Sequence, residues 1–132
     1  MKALKLLAAV SFVAAMLWIR PAHADGNAAL AQCQTTLRIL DAGEPTPGSA
    51  NIKTASDANF CLGLVQGVVQ TALIYEEAGS RMICIPGKGI KNEQGVRIFV
   101  RYLSDHPEQL HMNETVLLFI ALQTAFPCDI PH

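Results

Sequence analysis

Few residues in this 132-residue chain could carry chemistry, and their spacing excludes more than it offers. Four cysteines, Cys33, Cys61, Cys84 and Cys128, are scattered without a C-x-x-C pair, so neither a zinc knuckle nor a thioredoxin-type dithiol is indicated. No G-x-S-x-G turn presents a nucleophilic serine. The densest polar cluster is Asp105-His106-Pro107-Glu108 with His111 nearby. A metal reading would join His106, Glu108 and His111, but the i, i+4 pairing that H-E-x-x-H uses to aim two imidazoles at one ion is missing. His106-Pro107-Glu108 followed by Pro127-Cys128 copies part of the zinc deaminase signature. Its second cysteine is absent, and Pro131 stands in that place. No metal, no cofactor and no catalytic residue is expected, and the weight moves from an enzyme to a binding protein, which needs shape and contacts only.

The N-terminus reads as an export signal. Lys2 and Lys5 precede an apolar run from Leu6 to Ile19, Arg20 and Pro21 end it, and Ala22-His23-Ala24 has the small-x-small pattern of a cleavage site. The run is shorter than the roughly 20 residues a membrane span needs. Residues 1–24 are therefore expected to be a cleaved signal peptide, and residues 25–132 a single domain of ordinary size. That part carries 7 basic and 11 acidic residues, a formal charge of −4. With no basic stripe, nucleic acid and anionic membrane are poor partners. All four cysteines fall in the exported part, and an even count in an oxidising compartment reads as two disulfides.

Four segments show helical periodicity. The first spans about Ala28 to Asp41, with Asn27 as cap and Gly43 past its end. Glu44 to Ser56, rich in Pro, Gly, Ser and Thr, reads as a loop. The second helix is expected from Ala58 to Ala78, burying Cys61, Leu64, Val65, Val68, Ala72 and Tyr75. Gly63, Gln66, Gly67 and Gln70 form another stripe. Its two glycines point to close packing of a neighbouring helix, or else to a flat face for a partner or a second copy. The third helix runs from about Glu93 to Ser104, with Asn92 as cap, Val96, Phe99, Val100 and Leu103 inward, and Arg97 and Arg101 on the other side. Asp105 to Met112 is a connector. The last helix starts behind Asn113, ends near Phe126 before Pro127, and is apolar on every face, which predicts deep burial. No segment alternates like a strand, so the expected fold is an all-α bundle of about four helices.

That order constrains the cross-links. A continuous second helix of ~20 residues is ~30 Å long, whereas bridged Cα atoms lie within about 7 Å. Cys61 and Cys84, at its opposite ends, cannot pair. Cys33 and Cys61 face inward near a shared loop, and Cys84 and Cys128 meet at one end if the last two helices are antiparallel. The pairs Cys33–Cys61 and Cys84–Cys128 follow.

Several blocks then resemble the Rap1a/Tai immunity family: Phe60-Cys61-Leu62-Gly63-Leu64-Val65-Gln66-Gly67, Ile83-Cys84-Ile85-Pro86, Arg101-Tyr102-Leu103-Ser104-Asp105-His106-Pro107-Glu108, and the ending Ala125-Phe126-Pro127-Cys128. They keep family order from about Cys33 to Cys128, although Lys91 stands where a capping hydroxyl residue is usual. The resemblance implies a helical, dimeric periplasmic protein that inhibits a peptidoglycan amidase delivered by type VI secretion. It also implies a loop that enters the toxin's groove. In this chain that loop would be the connector, with Asp105, His106, Pro107, Glu108, Gln109 and His111 as contacts and Arg97 and Arg101 flanking. A small periplasmic helical chaperone without a toxin partner is the alternative.

Overall fold

The structure is a computed structural model that describes residues 25–43, 51–87 and 89–128, so the expected signal peptide lies outside the described residues. Within them are four α-helices and one short 3-10 turn, with no strand. They are α1 (Gly26–Asp41), α2 (Ile52–Glu77), α3 (Asn92–Asp105), the 3-10 turn Pro107–Gln109, and α4 (Glu114–Ala125). The all-α expectation holds, and both disulfides pair as the helix order required.

Local chemistry explains where the helix ends differ from expectation. Asp25, not Asn27, caps α1 and accepts from the Ala28 amide at 2.8 Å; the Asn27 side chain instead donates to the Leu110 carbonyl at 3.2 Å. Helix α2 begins at Ile52, inside the expected loop. Asn51 caps it by accepting from the Thr54 amide at 2.8 Å, and Lys53 pairs one turn on with Asp57 at 2.7 Å. A cap and an i, i+4 ion pair outweigh the loop-like composition of that stretch. The other end of α2 closes with Gly79 at φ +83 and a Ser80 amide donating to the Tyr75 carbonyl at 2.9 Å. A left-handed residue there satisfies orphan carbonyls, and glycine takes that conformation without strain. Lys91 occupies the α3 cap position and makes no side-chain capping bond.

The core draws on all four α-helices. Ala29 and Cys33 from α1 meet Cys61, Val65 and Val69 from α2, with Phe99 and Leu103 from α3 and Leu117, Leu118 and Leu122 from α4. Ile83 and Ile85, beside the second disulfide, close one end. Helix α1 runs back along α3: Arg97 reaches Asp41 at one end, and the Gly26 amide donates to the Met112 carbonyl at 3.0 Å at the other. Two glycines permit the tightest approaches. A Cβ at Gly95 would collide with Val65, and one at Gly26 with Leu117 and the Leu110 backbone.

Gly63 and Gly67 are corrected. Among the described residues nothing from another element lies within 4 Å of where their Cβ would be, so no described helix packs there, and both are exposed. The buried stripe of α2 is narrower and rotated from the expected one: Cys61, Val65, Val69 and Ala72 are buried, while Tyr75 is 49% exposed. The α4 expectation also needs narrowing. Its inward stripe is sealed, but Val116 is 45% exposed.

These glycines make opposite predictions. Gly95→Ala should destabilise the domain by about 1–3 kcal/mol, because Val65 is fully buried and cannot yield freely. Gly67→Ala should stabilise the monomer by about 1 kcal/mol through helix propensity alone. Thermal melts separate the two by sign.

Candidate functional site

Two surfaces could receive a partner. The first is the turn between α3 and α4. Tyr102, buried in α3, organises it: its ring stacks on His106 with centroids 4.2 Å apart, and its hydroxyl donates to Gln109 Oε1 at 2.8 Å. The His106 amide and ring Nδ1 both meet the Tyr102 carbonyl, at 3.1 and 2.9 Å. A carbonyl only accepts, so Nδ1 carries the proton and Nε2 is left as an acceptor when the ring is neutral.

The backbone of the turn is pinned as well. Gln109 N–H donates to the His106 carbonyl at 3.0 Å, and Met112 N–H to the Gln109 carbonyl at 2.9 Å. Pro107 stands at the start of the 3-10 turn, where its fixed φ suits the geometry. The first turn of α1 holds the far side through Asn27 and Gly26. What this rigid knuckle offers outward is Asp105, Pro107, Glu108 and His111, all exposed, with His106 and Gln109 half-buried as supports. The exposed groups include two carboxylates and no lysine or arginine.

The flanking arginines differ from each other. Arg97 donates to Asp41 and to Glu93 at 2.9 Å, so it ties α3 to the end of α1. The hydrogen bond to Asp41, then that to Glu93, raises its pKa above the ordinary guanidinium value. Eight residues before Asp105, it lies about 12 Å along the helix from the turn. Arg101 only approaches Asp105, at 3.7 Å, and is 86% exposed, which leaves it available beside the turn. It also lines a shallow 360 Å³ hollow with Tyr102, Asp105 and His106. Among the described residues no group of three or more His, Cys, Asp or Glu could hold a metal ion.

The second surface was only half legible beforehand. Gly63, Leu64, Gly67, Val68 and Tyr75 of α2, with Met82 and with Thr115 and Phe119 of α4, line an open apolar groove of about 500 Å³. Of the residues expected in the core, Leu64 and Val68 pack only partly against it and line this groove, and Tyr75 is exposed. Thr115, Phe119 and Met82 gave no sequence signal. One was available: from Ala58 to Tyr75 there is not a single charged residue, far more apolar surface than one buried stripe needs. By length and composition α2 could even cross a membrane, with mean hydropathy 1.3 over an 18-residue window. Its disulfide to α1 and its buried stripe mark it instead as a core helix with an apolar outer face.

Comparison with known proteins bears on both surfaces. The model of the Rap1a immunity proteins matches residues 25–128. The chain belongs to the Rap1a immunity protein family. No curated protein and no solved structure matches it. The match begins at the capping Asp25 and ends at Cys128, enclosing both disulfides, the braced turn and the groove. Immunity proteins of this family bind a secreted effector and inhibit it; they are not its catalysts.

The brace can be tested alone. Tyr102→Phe keeps the ring stack but strands Gln109, and should cost about 1 kcal/mol of stability. Hydrogen exchange should speed up in residues 106–112 while the α2 core keeps its protection.

Proposed function

We propose that this Rap1a family protein is exported to the periplasm and inhibits a peptidoglycan amidase delivered by type VI secretion, with the turn between α3 and α4 as the plug. The observation that carries the reading is the family match across the whole described domain. The turn suits the role for a physical reason: its bonds to Tyr102 and to α1 are made before any partner arrives. A preformed loop loses little entropy when it docks. Asp105, Pro107, Glu108 and His111 would enter the cleft, and Arg101 would sit at its rim. Arg97, tied to Asp41 and Glu93, is a brace for this surface rather than a contact.

The groove along α2 and α4 supports dimerisation. In a two-fold interface the same patch meets itself, so a charge near the axis would face its own copy. The run from Ala58 to Tyr75 has none. Gly63 and Gly67 leave open space through which a second helix could come close. Dimerisation would leave the turn free, so each copy could bind its own toxin.

Inhibition assays with the cognate amidase test the two surfaces separately. Replacing Asp105, Glu108 and His111 together by alanine should weaken inhibition at least about 30-fold, since central contacts are worth about 2 kcal/mol or more. The melting temperature should hold. Full inhibition by that variant would remove the turn from the interface, and full amidase activity in the presence of excess wild-type protein would remove the function itself. Gly67→Gln should leave a folded monomer by sedimentation, whereas an unchanged dimer would move the interface elsewhere.

A further inference from the structure

One buried ionisable group serves none of these roles. Glu114 opens α4 and is only 8% exposed, and its Oε2 has no hydrogen-bond partner among the described residues. It heads the inward stripe of α4, followed one turn later by Leu117, which is fully buried. A buried carboxylate oxygen without a partner is costly, and a structure tolerates it only when something compensates.

The neighbourhood identifies the missing partner. Gly26 packs so closely on Leu117 that a Cβ there would lie 2.6 Å from Leu117 Cδ1 and 2.9 Å from the Leu110 carbonyl oxygen. The Gly26 amide donates to the Met112 carbonyl at 3.0 Å, two residues before Glu114. The first turn of α1 therefore lies against the head of α4. Asp25 immediately precedes Gly26, about 3.8 Å away between Cα atoms. Residues i and i+3 on a helix lie about 5–6 Å apart between Cβ atoms, so the Asp25 nitrogen and the Glu114 side chain belong to the same junction.

In the uncut chain that nitrogen is an amide. We propose that cleavage after Ala24 turns it into an ammonium that pairs with the Glu114 carboxylate, so that export processing itself fastens α1 to α4. The inference rests on the export reading, and specifically on Asp25 as the first mature residue. The other titratable groups at this junction are already placed: the Asp25 side chain accepts from the Ala28 amide, and His111 is exposed in the turn. The pair explains why a carboxylate is tolerated on an otherwise apolar stripe. It also holds Leu110 and Met112, the far side of the plug, in place.

The test uses the chain expressed with its own leader and recovered after processing. N-terminal sequencing should read Asp25 first; any other first residue overturns the pairing. The α-amine, followed by its labelling rate against pH, should titrate about one unit above the ordinary 7.7–8.0. In Glu114→Gln it should return to that range. The stability from the pair is complete below the amine's unfolded pKa and is lost as pH rises through the raised folded one. Inserting one glycine between Ala24 and Asp25 should lower the melting temperature by about 4 °C in the wild type and leave Glu114→Gln unchanged. An amine that titrates in the ordinary range on a correctly cut chain overturns the pair while leaving export intact. An equal effect of the glycine in both backgrounds does so too. Should Glu114→Gln fail to fold, the wild-type titration alone decides.

Discussion

The Cys33–Cys61 cross-link is the constraint on which the remainder depends, because it bonds α2 to the bundle through the one narrow stripe that α2 buries. Four small or medium apolar residues, Cys61, Val65, Val69 and Ala72, are a slim attachment for a 26-residue helix. In the chain-entropy model, closing loops of 28 and 44 residues contributes about 4 kcal/mol each. That is comparable to the net stability of a small domain. A helix fastened in this way can leave much of its apolar surface outside. The cross-link is thus compatible with the open groove, where Leu64 and Val68 pack only partly against the core and Tyr75 is exposed.

The same economy appears at the turn. Few side chains hold it, but each is used twice. Tyr102 contributes a ring to the core and a hydroxyl to Gln109, and its carbonyl meets the backbone amide and ring Nδ1 of His106. The start of α1 supplies a carbonyl contact through Asn27 and a backbone bond through Gly26. The turn is thus rigid because two helices from distant parts of the sequence meet behind it. A disturbance at the head of α1 would reach the outer face of the turn without touching an exposed residue of it.

Fold class was readable in the sequence from helical periodicity, and the disulfide pairing from helix length and order. A helix of about 20 residues separates its ends by more than a disulfide can bridge, whatever the side chains do. The rotation of α2 was not readable. Periodicity identifies an apolar stripe but cannot choose between adjacent stripes when a helix is apolar nearly all round, and this one has no charge from Ala58 to Tyr75 to mark an outer face. The start of α2 was hidden for a different reason. Asn51, Thr54 and Ser56 have the composition of a loop, and only the capping geometry of Asn51 makes them a first turn.

Gly63 and Gly67 show how such a misreading arises and what it is worth. Two glycines four residues apart in a helix signal a close approach, and that inference was sound as far as it went. The spacing leaves open whether the approaching helix belongs to the same chain or to a partner. Gly95 and Gly26 make that intramolecular approach, and each is buried. Gly63 and Gly67 face open space beside an uncharged surface. Their helix-propensity cost, about 1 kcal/mol apiece, is not recovered by any contact among the described residues. A cost of that size on an exposed helix face is what the dimer proposed above would recover.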